Sequence, residues 1–167
     1  LVSGAFLHDV GKIGVPDRIL LKPGKLTAEE YEIMKSHVHL GVEIVGDNPW
    51  LAGAVKIIRC HHERFDGRGY PGGLVGESIP LTARIFAVAD VFDALTSERP
   101  YKKPLPVIEA LGIMNESSPQ HFDPKIMAHF NTIITGLHAW IAQADEDDHK
   151  QQLHDTLSRY FKIQAAR

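Results

Sequence analysis

The sequence holds one cysteine in 167 residues, Cys60, so no internal disulfide can form and no clustered-thiolate metal site can be built. That usage fits a reducing compartment, or an oxidising one in which nothing needs stapling. There is no run of ~18 consecutive apolar residues, which excludes a membrane span. The stretch 126–144 lacks formal charge, but His129, Asn131, Thr132, Thr135, His138 and Gln143 interrupt it. No excess of positive charge exists either. Eighteen Lys plus Arg against 21 Asp plus Glu give a net charge of −3, and the isoelectric point near 6.4 argues against general DNA binding or a polybasic membrane surface. Alternating strand patterns, internal repeats and low-complexity tracts are missing. With 44% apolar and 23% charged residues, wholesale disorder is excluded as well. At ~100–200 residues per domain, the length suits one domain.

What remains is helical. Residues 1–9 read as the C-terminal turns of a helix ending in His8-Asp9. Leu1 is not a methionine and residues 1–7 resemble a helix interior, so the expectation is a chain that starts part-way through a larger protein or domain. Gly11 and Gly14 break the pattern, and Pro16 and Pro23-Gly24 mark a loop. Thr27 to Glu30 has the form of a capping box opening a helix to about residue 46. Ile33, Met34, His37, Leu40, Gly41, Ile44 and Val45 give it helical spacing. The next helix starts at Pro49 and ends in Cys60-His61-His62. Residues 67–76 hold five glycines and Pro71, which makes 63–80 a loop with special backbone demands. Further helices are expected over about 81–96 and 107–115. Asp123-Pro124 then caps one carrying Ile126, Phe130, Ile133, Ile134, Leu137 and Ile141. A last amphipathic helix carries Leu153, Leu157, Tyr160 and Phe161. The fold class is all-α, a bundle of about six or seven helices with one glycine-rich loop.

The ten histidines are more than solubility requires, so their positions matter. A lone histidine in a helix is more often a hydrogen-bonded core or surface residue than a ligand. His39, His121, His129, His138, His149 and His154 take that reading. His8-Asp9 and His61-His62 differ, because each is an adjacent pair at a helix end. His37 and Asp90 lie inside helices among apolar neighbours. Imidazole with carboxylate suits Mn, Fe, Zn or Ni. Six such groups exceed the needs of one tetrahedral ion, and a carboxylate such as Asp9 can bridge two ions, which imidazole does poorly. Asp90 and Asp93, three residues apart, share a helix face. Lys12 lies just past His8-Asp9, and Arg99, Lys102 and Lys103 follow the Asp90/Asp93 helix. Cations near a metal cluster suit a phosphate-bearing substrate, although a solvated turn is the simpler reading of Lys103.

The blocks occur in a telling order. His8-Asp9-Val10-Gly11-Lys12 matches an HD motif with its lysine. His61-His62-Glu63-Arg64-Phe65-Asp66-Gly67-Arg68-Gly69-Tyr70-Pro71-Gly72-Gly73-Leu74 resembles the extended signature of the HD-GYP family. The likeness continues through Gly76-Glu77, Ile79-Pro80, Ala83-Arg84-Ile85, Ala89-Asp90, Phe92-Asp93-Ala94-Leu95-Thr96 and Arg99-Pro100-Tyr101. It covers roughly residues 1–135. A bare HD pair is weak, but the joined blocks in order are highly specific.

The resemblance implies an HD-superfamily helical bundle over residues 1–141, truncated at its N-terminus. The helical tail at 142–167 carries no family motif and is expected to face a partner or to form a homodimer. It implies a bacterial cytoplasmic phosphodiesterase for cyclic di-GMP, serving as the output module of a sensor or response regulator and yielding the linear dinucleotide, with GMP after a second cut. Two or three divalent ions are implied, commonly iron or manganese. By motif position the ligands are His8, Asp9, His37, His61, His62 and Asp90, with Asp9 bridging. Lys12, Asp93, Arg99 and Lys102 correspond to substrate contacts, and Lys12 and Asp9 to catalytic groups. Asp66, Gly67, Gly69, Tyr70 and Pro71 form the name-giving loop, which shapes the site and docks partner signalling domains. The family also takes a histidine ligand from a helix before the HD motif, sometimes with a glutamate. No histidine precedes His8, so one ion is expected to lack a ligand and activity to suffer. Two alternatives stay open: a non-catalytic module that binds a dinucleotide or a partner, and a hydrolase of the wider superfamily acting on another nucleotide.

Overall fold

The computed structural model describes residues 1–98 and 103–161 of the chain. Among these residues it holds nine α-helices: α1 (Val2–Leu7), α2 (Asp17–Leu20), α3 (Ala28–Lys35), α4 (His37–Val45), α5 (Ala52–Cys60), α6 (Leu81–Thr96), α7 (Val107–Ser117), α8 (Pro124–Gln143) and α9 (Glu146–Phe161). Short 3-10 turns occupy Val10–Gly14, Pro49–Leu51 and Gly76–Ser78. The only β-type pairing among the described residues is an isolated bridge between Asp66 and Val75. The all-α class therefore stands. The side chains of Tyr160 and Phe161, expected on the apolar face of the last helix, lie outside the described set.

Two helices exceed the expected number, and both have local causes. The four-residue α2 follows Pro16, whose fixed φ suits a helix entry. The helix expected over 27–46 is instead two, divided at Ser36. There the amide bonds the Ile33 carbonyl at 3.1 Å, one residue tighter than α geometry, and the hydroxyl donates to the same carbonyl at 2.6 Å. Such back-bonding competes with the regular ladder and bends helices. The start of α3 follows the sequence closely. Thr27 Oγ1 accepts from the Glu30 amide at 3.2 Å, and Glu30 Oε2 accepts from the Thr27 amide at 2.8 Å.

The centre of the bundle is α5, which packs against α1, α4 and α6. Ile57 and Ile58 on it have no exposed surface, and burying each stabilises the fold by about 1.5–3 kcal/mol. The turn Val10–Gly14 lies across α4 at unusually close range. A Cβ on Gly11 would stand 1.9 Å from the His37 carbonyl oxygen and 2.4 Å from the Gly41 amide. Only glycine permits that crossing, and the crossing brings the residues before it, His8 and Asp9, against the start of α4.

On the other side α6 packs on α5 and α7. Arg84 of α6 forms a buried ion pair with Asp123 at 2.5 Å, and Asp123 Oδ1 also accepts from the Lys125 amide at 2.8 Å, capping α8. By contact density the chain forms two compact units, Leu1–Ala128 and His129–Arg167. No helix among the described residues is long and apolar enough to cross a membrane.

Candidate metal centre

Asp9, His37, His61 and His62 come together, and one ligand atom from each lies within 4.8 Å of all the others. Three separate elements supply them. Asp9 stands between α1 and the turn Val10–Gly14, His37 opens α4, and His61-His62 follow the last turn of α5. His37 and His61 are almost completely buried, with 1% and 4% exposure.

The imidazoles of this neighbourhood are aimed by backbone carbonyls three residues back. His8 Nδ1 donates to Ala5 O at 2.6 Å, His37 Nδ1 to Met34 O at 2.7 Å, and His61 Nδ1 to Ile58 O at 2.9 Å. With the proton held on Nδ1, Nε2 of His37 and Nε2 of His61 carry lone pairs, whereas Nε2 of His8 donates to Asp9. Nε2 of His37 and Nε2 of His61 stand 3.4 Å apart. Asp9 Oδ1 lies 3.6 Å from the first and 3.9 Å from the second. Lone pairs and a carboxylate thus converge in a buried space, an arrangement that calls for a positive charge between them. This donor set fits a divalent ion of the N/O-preferring kind.

Titration tendencies agree with that chemistry. Burial, followed by opposing contributions from its neighbours, pushes His61 down to about 4. Burial, then the charges of His61 and His37, pushes His62 down to about 3. Both rings are therefore neutral, and able to ligate, at ordinary pH. Burial alone would raise Asp9, but hydrogen bonds from His8 and Lys12 outweigh it and hold the carboxyl well below the usual range. For His8, burial is outweighed by hydrogen bonds to Asp9 and the Ala5 carbonyl, so its pKa is raised.

The second oxygen of Asp9 faces a different group. Oδ2 is 3.2 Å from His8 Nε2 and 2.5 Å from Lys12 Nζ. His8 Nε2 in turn lies 3.9 Å from Asp90 Oδ1 on α6. His8 and Asp90 are thus adjacent to the four-residue group, on the other side of Asp9, rather than within it. Asp93, one turn beyond Asp90, accepts from the Ser97 hydroxyl at 2.7 Å. Arg99 and Lys102 lie outside the described residues.

The glycine-rich segment leaves α5 and turns back over His62. A Cβ on Gly69 would be 2.3 Å from the Arg64 amide nitrogen and 2.5 Å from the His62 carbonyl oxygen, so the chain closes on itself only with glycine there. Tyr70 donates its amide to the His62 carbonyl at 3.1 Å, and its ring stacks on the His62 ring with centroids 4.7 Å apart. Asp66 is a clamp within the loop. Arg64 holds both its oxygens, at 3.1 and 2.9 Å, and together with the Arg68 amide keeps the carboxyl at about 2. Gly67 has φ of +77°, and Pro71 is exposed.

Three residues that sequence reasoning did not single out belong to this wall. Buried Glu63 accepts from the Gly72 amide at 2.7 Å and the Leu74 amide at 3.0 Å, pinning the loop. Tyr31 meets Tyr70 edge-on at 6.1 Å, and Lys35 Nζ stands 5.6 Å from both rings. The i, i+4 spacing of Tyr31 and Lys35 was a usable signal that they share a helix face. What they face was not readable.

Fold and site together define an all-helical protein with a histidine–carboxylate cluster of metal-binding type, closed on one side by a glycine-rich loop. The family model for the HD domain matches residues 2–126. A cyclic di-GMP phosphodiesterase of Vibrio cholerae is 47% identical over 137 residues, covering 78% of this chain and 28% of that protein. The cyclic di-GMP phosphodiesterase response regulator RpfG of Xanthomonas campestris is 52% identical over 121 residues, 71% of this chain and 32% of its own length. A 3'3'-cGAMP-specific phosphodiesterase of Vibrio cholerae is 46% identical over 123 residues, 72% of this chain and 24% of its own. The chain belongs to the HD domain family, in its HD-GYP branch. It spans between about a quarter and a third of the length of these curated relatives.

Proposed function

We propose that the chain is the catalytic module of a metal-dependent phosphodiesterase acting on a cyclic dinucleotide, with cyclic di-GMP the foremost substrate. The observation that carries this reading is the two-sided arrangement of Asp9. One oxygen faces His37 and His61, and the other faces His8 and Lys12. Such a carboxylate suits two ions side by side, one held on the His37, His61 and His62 side and one on the His8 and Asp90 side. Iron or manganese matches the N/O donors. The names of the relatives support the substrate class.

Bound divalent ions supply an activated water at neutral pH and neutralise charge on the phosphate. The residues supply the rest. The Nδ1 anchors fix the ring planes of His8, His37 and His61, so the rings need not reorient when the site fills, and His8 gives up the proton it holds toward Asp9. Lys12 is within reach of Asp9 and is placed to meet a phosphate oxygen or to protonate the departing ribose oxygen. Arg99 and Lys102 are proposed to bind the second phosphate, and Asp93 to contact the nucleotide. The product is the linear dinucleotide. The exposed rim of the loop is the proposed docking place for partner signalling domains, and residues 142–167 the proposed partner- or self-facing tail.

The test is metal content and product formation with cyclic di-GMP, 3'3'-cGAMP and a simple aryl phosphodiester, under saturating manganese or iron. Faster release of linear dinucleotide from cyclic di-GMP supports the reading. Preference for cGAMP changes the substrate but keeps the chemistry. Metal uptake and dinucleotide binding without turnover of any of the three would make the chain a binding module instead. Within this scheme Arg99→Ala should weaken substrate binding by on the order of 1.5–3 kcal/mol, the range for hydrogen bonds to charged groups, while leaving metal content intact. Unchanged kinetics at low salt would return Arg99 to a solvated turn.

A further inference from the structure

His62 differs from the other imidazoles of the centre. The rings of His8, His37 and His61 are each fixed by an Nδ1 hydrogen bond to a backbone carbonyl. Among the described residues, His62 has no such bond from either ring nitrogen. Its orientation depends on ring contacts: Tyr70 stacked at 4.7 Å and 27°, His61 at 4.0 Å, and His37 edge-on at 5.1 Å. Of these, Tyr70 alone is not itself a member of the cluster. Tyr70 in turn is held from two directions. The loop is pinned behind it by buried Glu63 through the Gly72 and Leu74 amides. In front stand Tyr31, edge-on, and the Lys35 ammonium, which also pairs with Glu32 at 2.7 Å.

We propose that Tyr70 is the positioning residue for the His62 imidazole, replacing by stacking the carbonyl anchor that the other three histidines have, and that Lys35 and Tyr31 of α3 hold Tyr70 in place. The proposal rests on the metal reading of the cluster. Physically, a ligand ring without an outer hydrogen bond is free to rotate about its side-chain torsions, and it presents its lone pair only if something fixes its plane. An aromatic face does this without consuming either ring nitrogen, and a cation over the partner ring strengthens the stack from the far end. The consequence is a mechanical line from the surface of α3 through Tyr70 to one ligand, and to that ligand more than the others.

The experiment titrates Mn2+ and records the Co2+ absorption bands for the wild-type chain and for Tyr70→Phe, Tyr70→Leu, Lys35→Arg and Lys35→Met. Tyr70→Leu should weaken Mn2+ binding about 10–100-fold, the usual cost of losing a group that orients a ligand, and should shift the Co2+ bands. Tyr70→Phe should stay near wild type, because the ring and not the hydroxyl does the orienting. Lys35→Arg should also stay near wild type, and Lys35→Met should shift the bands in the direction of Tyr70→Leu. If Tyr70→Leu does not fold, Lys35→Met decides, since α3 has no buried residue; unchanged bands in it overturn the proposal. Equal affinity and equal bands in wild type and Tyr70→Leu also overturn it. So does a Tyr70→Phe variant as weak as Tyr70→Leu. A wild-type chain that takes up neither ion overturns the metal reading itself, which is a distinct result.

Discussion

Asp9 is the residue on which the site turns, because its two oxygens address different groups. Asp9→Asn keeps the shape but removes the charge. It should lower metal uptake more than replacing His62 does, and it should lose product formation together with metal. Full metal content with full activity in that variant would remove Asp9 from its proposed role. The neutral rings make a second prediction, for chelator-treated protein. His61 titrates at about 4 and His62 at about 3 in the folded chain, against an ordinary value of 6.5. Below about 6.5 the unfolded chain therefore binds more protons than the folded one. This contribution to stability is fully present above the unfolded value and is lost as the pH falls from about 6.5 toward about 4. His8, whose pKa is raised, acts in the opposite sense over this range, but it is one ring against two. Urea midpoints at about pH 7.5 and about pH 5 should therefore still differ in that sense, and equal midpoints would contradict the neutral buried rings. At this scale the sequence was informative where chemistry is concentrated in rare residue types, as in His8-Asp9 and His61-His62. For Tyr31 and Lys35 it shows only a shared helix face, and Glu63 stands in the signature without a role, until the chain folds them against Tyr70 and the loop amides.

Among the elements, the turn Val10–Gly14 and α4 matter most, because their close crossing sets Asp9 against His37. Gly11→Ala would drive a Cβ to 1.9 Å from a backbone carbonyl, a contact no rotamer can relieve. The turn must then lift off α4. Overpacking of this kind costs about 1–3 kcal/mol, and metal affinity should fall with it because Asp9 moves away from His37. A denaturant midpoint and a Mn2+ titration on the same variant check both, and normal values of both would show that the turn has slack. Thr27→Ala is the contrasting case: it removes one half of the capping box at the start of α3, a helix that carries none of the cluster, costing about 1 kcal/mol with a smaller effect on metal affinity than Gly11→Ala. Element positions were largely legible because caps, prolines and apolar spacing mark them: the capping box opens α3, Pro80 precedes α6 and Asp123-Pro124 opens α8. The break at Ser36 was not legible. A serine within an apolar helical stripe looks regular from spacing alone, and only its bond to the Ile33 carbonyl shows the bend.

For the whole molecule, the ligands come from distant parts of the sequence, yet Asp9, His37, His61, His62, His8 and Asp90 all fall within the unit Leu1–Ala128. What unites them is the all-α core around α5, with Ile57 and Ile58 buried beneath the ligand pair that follows. Sequence patterning could define that core because helical periodicity is a local property. It could not define how α3 faces the loop, which depends on contacts between residues far apart in the chain. The buried Arg84–Asp123 pair, which ties α6 to the start of α8, also lies within this unit. Breaking it by Asp123→Ala leaves an uncompensated buried cation, which costs about 3–5 kcal/mol when the partner of a buried ion pair is removed. By contrast, α9 opens with Glu146, Asp147 and Asp148 and contributes none of the cluster. A chain ending after Gln143 should therefore bind Mn2+ as the full chain does, while Asp123→Ala, though it touches no ligand, should lower the thermal midpoint sharply. Circular dichroism melts paired with Mn2+ titrations separate the two. Loss of metal affinity on removing 144–167 would show that the cluster needs these residues.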